Sequence, residues 1–375
     1  MGQDYDVIVV GAGPAGATAA FHLGAAGKRV LVLEKERLPR HKPCGGGVPT
    51  SVLRRFPIDF SPMVEREVRR VRFRFADGRE VTADLPSGAV VMVRRDRFDH
   101  YLVSQAHAEV RDGARVVDVR QDGTGVEAVL ASSETVRARY LILADGAGSS
   151  LARRVGLRRG RRMGVTLEAE VPANDHIRAS FDAALFLFGL PIQGYAWVFP
   201  KSDRLSIGVG AFLGRPEGLR GLLEQEMARL GIPLEEARLY GHPLPVYLQH
   251  EQLHQGRVLL TGDAAGLVDP LLGEGIRHAV RSGERAAEAI LREDISGYTA
   301  RIHREIGNDL LWGLRWARFF YNHPRVSFEW GVRNPLFLRE FLRLLAGRTT
   351  YRAMALRAPF LVALGVLCRR KPEKD

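Results

Sequence analysis

The chain carries only two cysteines in 375 residues, Cys44 and Cys368, and they lie too far apart in sequence to suggest a disulfide framework. A reducing compartment is the default for such a chain, and a cytoplasmic location is expected. No apolar run approaches the roughly 20 residues needed to cross a bilayer. The longest near the C-terminus is Ala358 to Cys368. The N-terminal stretch lacks the basic, apolar, small-residue pattern of a secretory signal. No group of His, Cys and carboxylates has metal-ligand spacing, and no GxSxG is present, so metal and serine-nucleophile chemistry are not expected. Internal repeats, low-complexity linkers and nucleic-acid recognition modules are also missing from the pattern. Lysine is scarce, and arginine carries nearly all of the positive charge.

What is present reads as globular: 46% of residues are hydrophobic and 26% charged. The length suggests about two domains. A formal charge of +12 and a pI near 10.1 call for an acidic partner, such as an anionic membrane surface or a phosphorylated substrate. Arginine richness beside so much alanine and glycine is also what base composition alone produces, so charge does not argue for nucleic acid.

The first thirty-four residues organise the rest. Tyr5 to Val10 is an apolar, β-branched run that leads into Gly11-Ala12-Gly13-Pro14-Ala15-Gly16, an alanine-rich helical segment, a second apolar run, Arg29 to Leu33, and then Glu34 and Lys35. Strand, glycine turn, helix, strand and acid follow one another as a dinucleotide site requires. One glycine makes the turn, one admits the pyrophosphate, and one lets helix and strand pack closely. Phosphate sits on open N–H groups at the helix N-terminus. Glu34 stands about where an acid accepts hydrogen bonds from an adenosine ribose.

Further along, a basic loop ends in Pro43-Cys44-Gly45-Gly46-Gly47, a glycine cluster costly in chain entropy that must pass close to something bulky. Alternation from Val71 to Val93 predicts antiparallel strands of a second sheet. Arg95 to Asp99 opens a helix expected to reach about Val110. Strands are predicted at Ala114 to Gln121, Gly125 to Ala131 and Arg139 to Ala144, the last ending in Asp145-Gly146-Ala147-Gly148-Ser149. Phe181 to Leu190, Tyr195 to Pro200 and Leu205 to Phe212 read as strands, and Leu219 to Leu230 as a helix. Val258 to Leu260 is followed by Thr261-Gly262-Asp263, and Gly273-Glu274-Gly275-Ile276 starts a long helix to Leu291.

Three glycine-bearing turns therefore follow three apolar strands, and in an open parallel sheet ligands bind beyond the carboxyl ends of the strands. A ligand as large as FAD uses that many anchors: adenosine on Glu34, pyrophosphate on the first turn, ribityl and flavin on the last. Asp263 is placed to hold a ribityl hydroxyl, or else to cap a helix.

These motifs resemble the geranylgeranyl reductase family of flavoproteins, relatives of the aromatic hydroxylases. The most specific pieces are Pro39-Arg40-His41-Lys42-Pro43-Cys44-Gly45-Gly46-Gly47 and Tyr195-Ala196-Trp197-Val198-Phe199-Pro200, and the likeness runs over roughly residues 1 to 290. It implies FAD, and reduction of isolated double bonds in the polyprenyl chain of a lipid, quinone or chlorophyll precursor. Cofactor contacts are expected from Gly11, Gly13, Pro14, Ala15, Gly16, Glu34, Lys35, Cys44, Gly45, Gly46, Arg95, Asp145, Gly146, Gly262, Asp263, Gly273, Gly275 and Ile276. Catalytic roles are expected for Cys44, Tyr195 and Trp197. Cys44 is an acid, a redox-active thiol or a small residue in a tight turn. Tyr195 and Trp197 share one strand face, as a channel wall or as plain core.

Two departures stand out. Ala152 occupies a place where the hydroxylase relatives commonly carry arginine, with Arg153 and Arg154 next to it, and Asp269 replaces asparagine. No second complete GxGxxG offers a nicotinamide site, so NAD(P)H and ferredoxin both stay open as electron donors.

The expected fold is α/β: a discontinuous Rossmann-like FAD-binding domain (1–70, 94–162 and 255–297), an inserted antiparallel-sheet substrate domain (71–93 and 163–254) and a helical C-terminal region (298–375). That last region interleaves aromatics with arginines. It reads either as a lid on the substrate domain or as an amphipathic surface for anionic lipid, which would make the protein a peripheral membrane one. The rival functions are a flavin-dependent monooxygenase or halogenase on an aromatic substrate, and a flavin carrier that only relays electrons.

Overall fold

The computed structural model describes residues 5–158, 163–173, 180–214, 217–232 and 237–369, with side chains to residue 361. The chain divides into two compact units. The first comprises 1–42, 95–163 and 243–308, and the second 43–94, 164–242 and 309–375. The helical tail beyond Asp309 thus groups with the second unit, as does the segment from Pro43 to Arg94.

The first unit is built on an eight-stranded sheet. Its centre is three adjacent parallel strands: Val258–Leu260, Thr135–Leu143 and Tyr5–Val10, with Val30–Leu33 following on the far side. Val258–Leu260 and Val30–Leu33 are wholly apolar, and Tyr5–Val10 and Thr135–Leu143 become so from Val7 and Tyr140 onward, as strands covered on both faces must be. Val126–Leu130 and Val116–Gln121 extend Thr135–Leu143 as an antiparallel meander. Helices Pro14–Ala25 and Ile276–Leu291 pack against each other. They approach so closely that a Cβ on Gly283 would lie 2.3 Å from the Ala15 carbonyl oxygen.

The second unit has a seven-stranded sheet in the order Arg238–Leu244, Gly164–Pro172, Arg204–Leu213, Gln193–Pro200, Ala184–Phe188, Arg70–Phe75 and Glu80–Asp84. Every pairing with a described register is antiparallel except that of Ala184–Phe188 with Arg70–Phe75. Strand alternation gives this sheet two chemically different faces. Leu185, Leu187, Ala196, Val198, Leu205, Ile207 and Val209 form an aliphatic face under the helix Leu219–Arg229. Phe186, Phe188, Tyr195, Trp197 and Phe199 point the other way.

Two sequence expectations need correction. Val90–Val93 does not join this sheet; it pairs with Gly47–Pro49 and Val64–Glu67 in a separate three-stranded sheet. Its four residues are all buried, which fits a strand with no solvent face to alternate toward. The helix opened by Arg95 ends at Ser104 rather than near Val110, and Glu109–Arg111 is instead a strand parallel to Val30–Leu33. There the Glu34 N–H donates to the Arg111 carbonyl, so sheet pairing outweighs helical continuation.

The C-terminal helices include Asn308–Asn322, Pro335–Leu345 and Tyr351–Arg369. Among the described residues no helix is long and apolar enough to cross a membrane. Of the basic run Arg369-Arg370-Lys371 that follows Cys368, Arg370 and Lys371 lie outside the described residues, as do the side chains from Val362 to Arg369.

Candidate cofactor site and aromatic face

At the head of the first unit the three glycine turns sit side by side, because the strands they follow are neighbours in one parallel sheet. Gly11 has φ +104°, and a Cβ there would fall 2.4 Å from the Ala144 carbonyl oxygen. A Cβ on Gly16 would fall 1.9 Å from the Gly11 oxygen. Both glycines are thus fixed by backbone packing. Gly13 differs: its nearest neighbour is the end of the Arg40 side chain, at 3.5 Å. The helix starting at Pro14 has no side-chain cap, which leaves its first N–H groups for an anion. Ala15 and Gly16 lie buried in its first turn.

Glu34 is buried and held from three sides. Its Oε2 accepts the Ala12 N–H at 2.9 Å, its Oε1 accepts the Glu36 N–H at 3.1 Å, and Arg40 Nε stands 3.3 Å away. Arg40 reaches on to Asp99 at 3.2 Å, and Arg95 donates twice to that same Asp99, at 2.7 and 2.9 Å. The sequence reading singled out Arg95 and missed Arg40 and Asp99. The i,i+4 spacing of Arg95 and Asp99 was the available signal; nothing local marked Arg40 among its basic neighbours.

Asp145 ends the middle strand. Burial pushes its carboxyl up to about 6, and Lys35 and Arg158 are the nearby cations that pull it down. Its Oδ1 is buried with no hydrogen-bond partner, and beside it Gly146 has φ +84° with open space at its Cβ position. The last turn is tied down by Arg158, which donates to the carbonyls of Asp263 and Ala264 at 2.8 and 2.9 Å. The Gly262 N–H donates to Ser282 Oγ at 2.9 Å. Asp263 lies within a short 3-10 turn whose N-cap is Thr261, so it is not a cap. Its carboxylate faces Gly275, with Oδ1 3.2 Å from where a Cβ would be. Gly273 has φ +65°, and Ile276 opens the long helix, again without a side-chain cap.

Asp269 Oδ1 accepts the N–H groups of Leu271 and Leu272, both at 2.8 Å. An asparagine Oδ1 would accept the same two bonds, which explains why this departure from the family pattern is mild. Glu274 pairs with Arg277 at 2.8 Å, its other oxygen is buried without a partner, and burial pushes its carboxyl up to about 7.

Orphaned buried acceptors cost free energy unless something else satisfies them. Two uncapped helix N-termini, a glycine turn open at Gly13, and the unpaired oxygens of Asp145 and Glu274 suit a ligand that carries both phosphate and hydroxyl groups. The residues present therefore fit FAD.

Cys44, Gly45 and Gly46, together with Tyr195 and Trp197, lie in the second unit. There the aromatic side of the sheet is continuous: Phe186 lies 5.1 Å from Phe199 and 5.4 Å from Tyr195, and Tyr195 lies 5.0 Å from Phe212 between ring centres. The C-terminal helices cover it, with Phe320 on Phe188, Phe341 on Phe73 and Tyr321 on Phe212. Trp197 lies across Gly208, where a Cβ would come within 2.2 Å of the indole. Its Nε1–H donates to Ser206 Oγ at 3.0 Å, and Ser206 donates to the buried Glu168 at 2.6 Å. The Cys44 loop rests on the same rings: a Cβ on Gly45 would be 2.7 Å from Phe199. The cation at this loop is Lys201, whose Nζ donates to the Cys44 carbonyl at 3.1 Å. Lys201, Ser206, Glu168 and Gly208 escaped the sequence reading.

A model of the FAD binding domain matches residues 4–189. The chain is 33% identical to the geranylgeranyl diphosphate reductase of Rhodobacter capsulatus, over 76% of this chain and 75% of that relative. It is 32% identical to a menaquinone reductase of Mycobacterium tuberculosis, over 78% of each. In fold it is similar to a geranylgeranyl bacteriochlorophyll reductase-like protein from Thermoplasma acidophilum, with a TM-score of 0.71 at 24% identity over 84% of this chain and 87% of that one. With the dinucleotide turn, the buried Glu34 beside it and the identity to these relatives in place, the chain belongs to the geranylgeranyl reductase family of FAD-dependent oxidoreductases.

Proposed function

We propose that this protein saturates carbon–carbon double bonds in the polyprenyl chain of a lipid, quinone or chlorophyll precursor. The observation that carries the reading is the aromatic face of the second unit, roofed by helices and meeting the Cys44 loop at Phe199 and Trp197. A flexible isoprenoid chain has no polar groups to grip, so it is held by apolar contact area and by π-faces. Relatives named for different prenyl substrates share the framework, and this leaves the head group open.

When bound and reduced by its electron donor, FAD would supply hydride to one alkene carbon. The chain's own residues would then do the rest. Glu34, Arg40 and the Gly11–Gly16 turn would hold its adenosine and pyrophosphate end, Lys35, Arg95, Asp145, Gly146, Gly262 and Asp263 would hold the rest, and Gly273, Gly275 and Ile276 would offer it a helix N-terminus. Tyr195 and Trp197 would wall the substrate, the Cys44 thiol is the candidate proton donor to the second carbon, and Gly45 and Gly46 keep the loop thin against Phe199 and Val93. The electron donor is NAD(P)H or ferredoxin.

A peripheral association with an anionic membrane surface follows from the same reading. Phe319, Trp330, Leu356 and Phe360 are exposed on the arginine-rich C-terminal helices, and a polyprenyl substrate resides in the bilayer.

The experiment is lipid mass spectrometry of a deletion strain against its parent. The reading expects one prenyl-lipid class to become heavier on complementation by a pair of hydrogens per saturated bond. Oxygen insertion into an aromatic substrate, with NADPH consumed in step, would instead establish the monooxygenase alternative.

A further inference from the structure

Lys201 is one of the few lysines in the chain, and its side chain is only 3% exposed. It follows Pro200 at the end of the strand Gln193–Pro200. Burying an ammonium is costly unless its charge and its donors are met. Here Nζ donates to the carbonyl oxygen of Cys44 at 3.1 Å and lies 4.0 Å from Glu170 Oε1. Glu170 in turn pairs with Arg204 at 3.2 Å. An exposed polar residue would end the strand as well without that cost, so the burial is explained by what the ammonium holds.

What it holds is the backbone of Cys44, and the neighbouring loop is confined from other directions too. Gly46 has φ +81°, and a Cβ there would sit 2.2 Å from the Val93 oxygen and 3.3 Å from Lys201 Cε. The Gly46 N–H lies 3.4 Å from Cys44 Sγ as a hydrogen-bond donor. On the far side Gly45 is pressed to the Phe199 ring. With the carbonyl pinned by Lys201 and the sulfur engaged by Gly46, both ends of the Cys44 residue are fixed.

The geometry points to Lys201 as a positioning residue for Cys44: by anchoring the carbonyl it sets the direction in which the thiol faces. The purpose of that orientation rests on the proposed reduction; the orientation itself does not.

The test uses the full-length, FAD-loaded protein in a Cys368→Ser background, and measures iodoacetamide alkylation of Cys44 by mass spectrometry from about pH 6 to about pH 9. Lys201→Met is expected to speed alkylation about tenfold, the equivalent of one charge-assisted hydrogen bond, at the alkaline end of that range, where loss of a neighbouring positive charge weighs least on a thiol's ionisation. Lys201→Arg, which keeps a donor, restores most of the protection. Gly45→Ala, which lifts the loop from Phe199 without touching the lysine, also speeds alkylation. An unchanged or slower rate in Lys201→Met at that pH, or equal rates in the Met and Arg variants, overturns the inference. Should Lys201→Met fail to fold, Lys201→Gln takes its place, and an unchanged rate there overturns the inference. No lipid is measured, so failure of the proposed reduction leaves this result standing, and the reverse holds as well.

Discussion

The N–H of Ala12 donates to Glu34 Oε2 at 2.9 Å, so the acid at the end of the second strand also fastens the glycine turn at the end of the first. Glu34→Ala removes that bond, the one from Glu36 and one of the two acids beside Arg40 together. The expected outcome is an FAD dissociation constant raised at least about tenfold, since each charge-assisted bond is worth about 1.5–3 kcal/mol. Fluorescence titration of the flavin-stripped variant checks it, and wild-type affinity would refute it.

Gly16→Ala places a methyl 1.9 Å from a backbone oxygen, where nothing can rotate away. A loss on the order of 3 kcal/mol is expected, together with poor flavin retention. Gly148→Ala, with nothing within 4 Å of its Cβ, is the control and should melt like the wild type. Thermal unfolding of the two variants side by side decides the matter.

Asp145 and Glu274 give the flavin-stripped protein a pH dependence whose sign is fixed. Burial raises their carboxyls from ordinary values of 3.8 and 4.5 to about 6 and about 7. Between those limits the folded state holds protons that the unfolded chain releases, so stability falls as pH rises from about 4 to about 7 and then levels. Each group contributes on the order of 1.4 kcal/mol per pH unit within its own window. Glu274→Gln should flatten the upper part of the curve, and urea denaturation across pH 5 to 8 shows whether it does.

Ser206→Ala takes away the acceptor of the buried Trp197 N–H and one donor to Glu168. Destabilisation of about 1–3 kcal/mol is expected, with a changed near-ultraviolet circular dichroism signal as the indole loses its fixed setting. An unaltered spectrum with full stability would show that the hydroxyl does not hold the ring.

Much of the first unit was legible because its requirements are local. A glycine needed for φ +104° at Gly11, a helix that must start bare at Pro14 and a strand buried on both faces each leave a mark within a few residues. Errors arose where a long-range partner decided. Val90–Val93 reads as one more alternating strand, yet its partners are Gly47–Pro49 and Val64–Glu67. Glu109–Arg111 looked like the end of a helix until Val30–Leu33 offered it a ladder.

By itself the sequence determined the dinucleotide fold, the family likeness and the two stretches around Cys44 and Trp197, because glycine, proline and aromatic spacing act through the backbone that carries them. Only the tertiary structure decided that Arg40 guards Glu34, that Ser206 and Glu168 fix the Trp197 ring, and that Lys201 holds Cys44 from 157 positions away. A salt bridge or a buried hydrogen bond joins atoms, and the chain distance between its partners leaves no periodic trace to read.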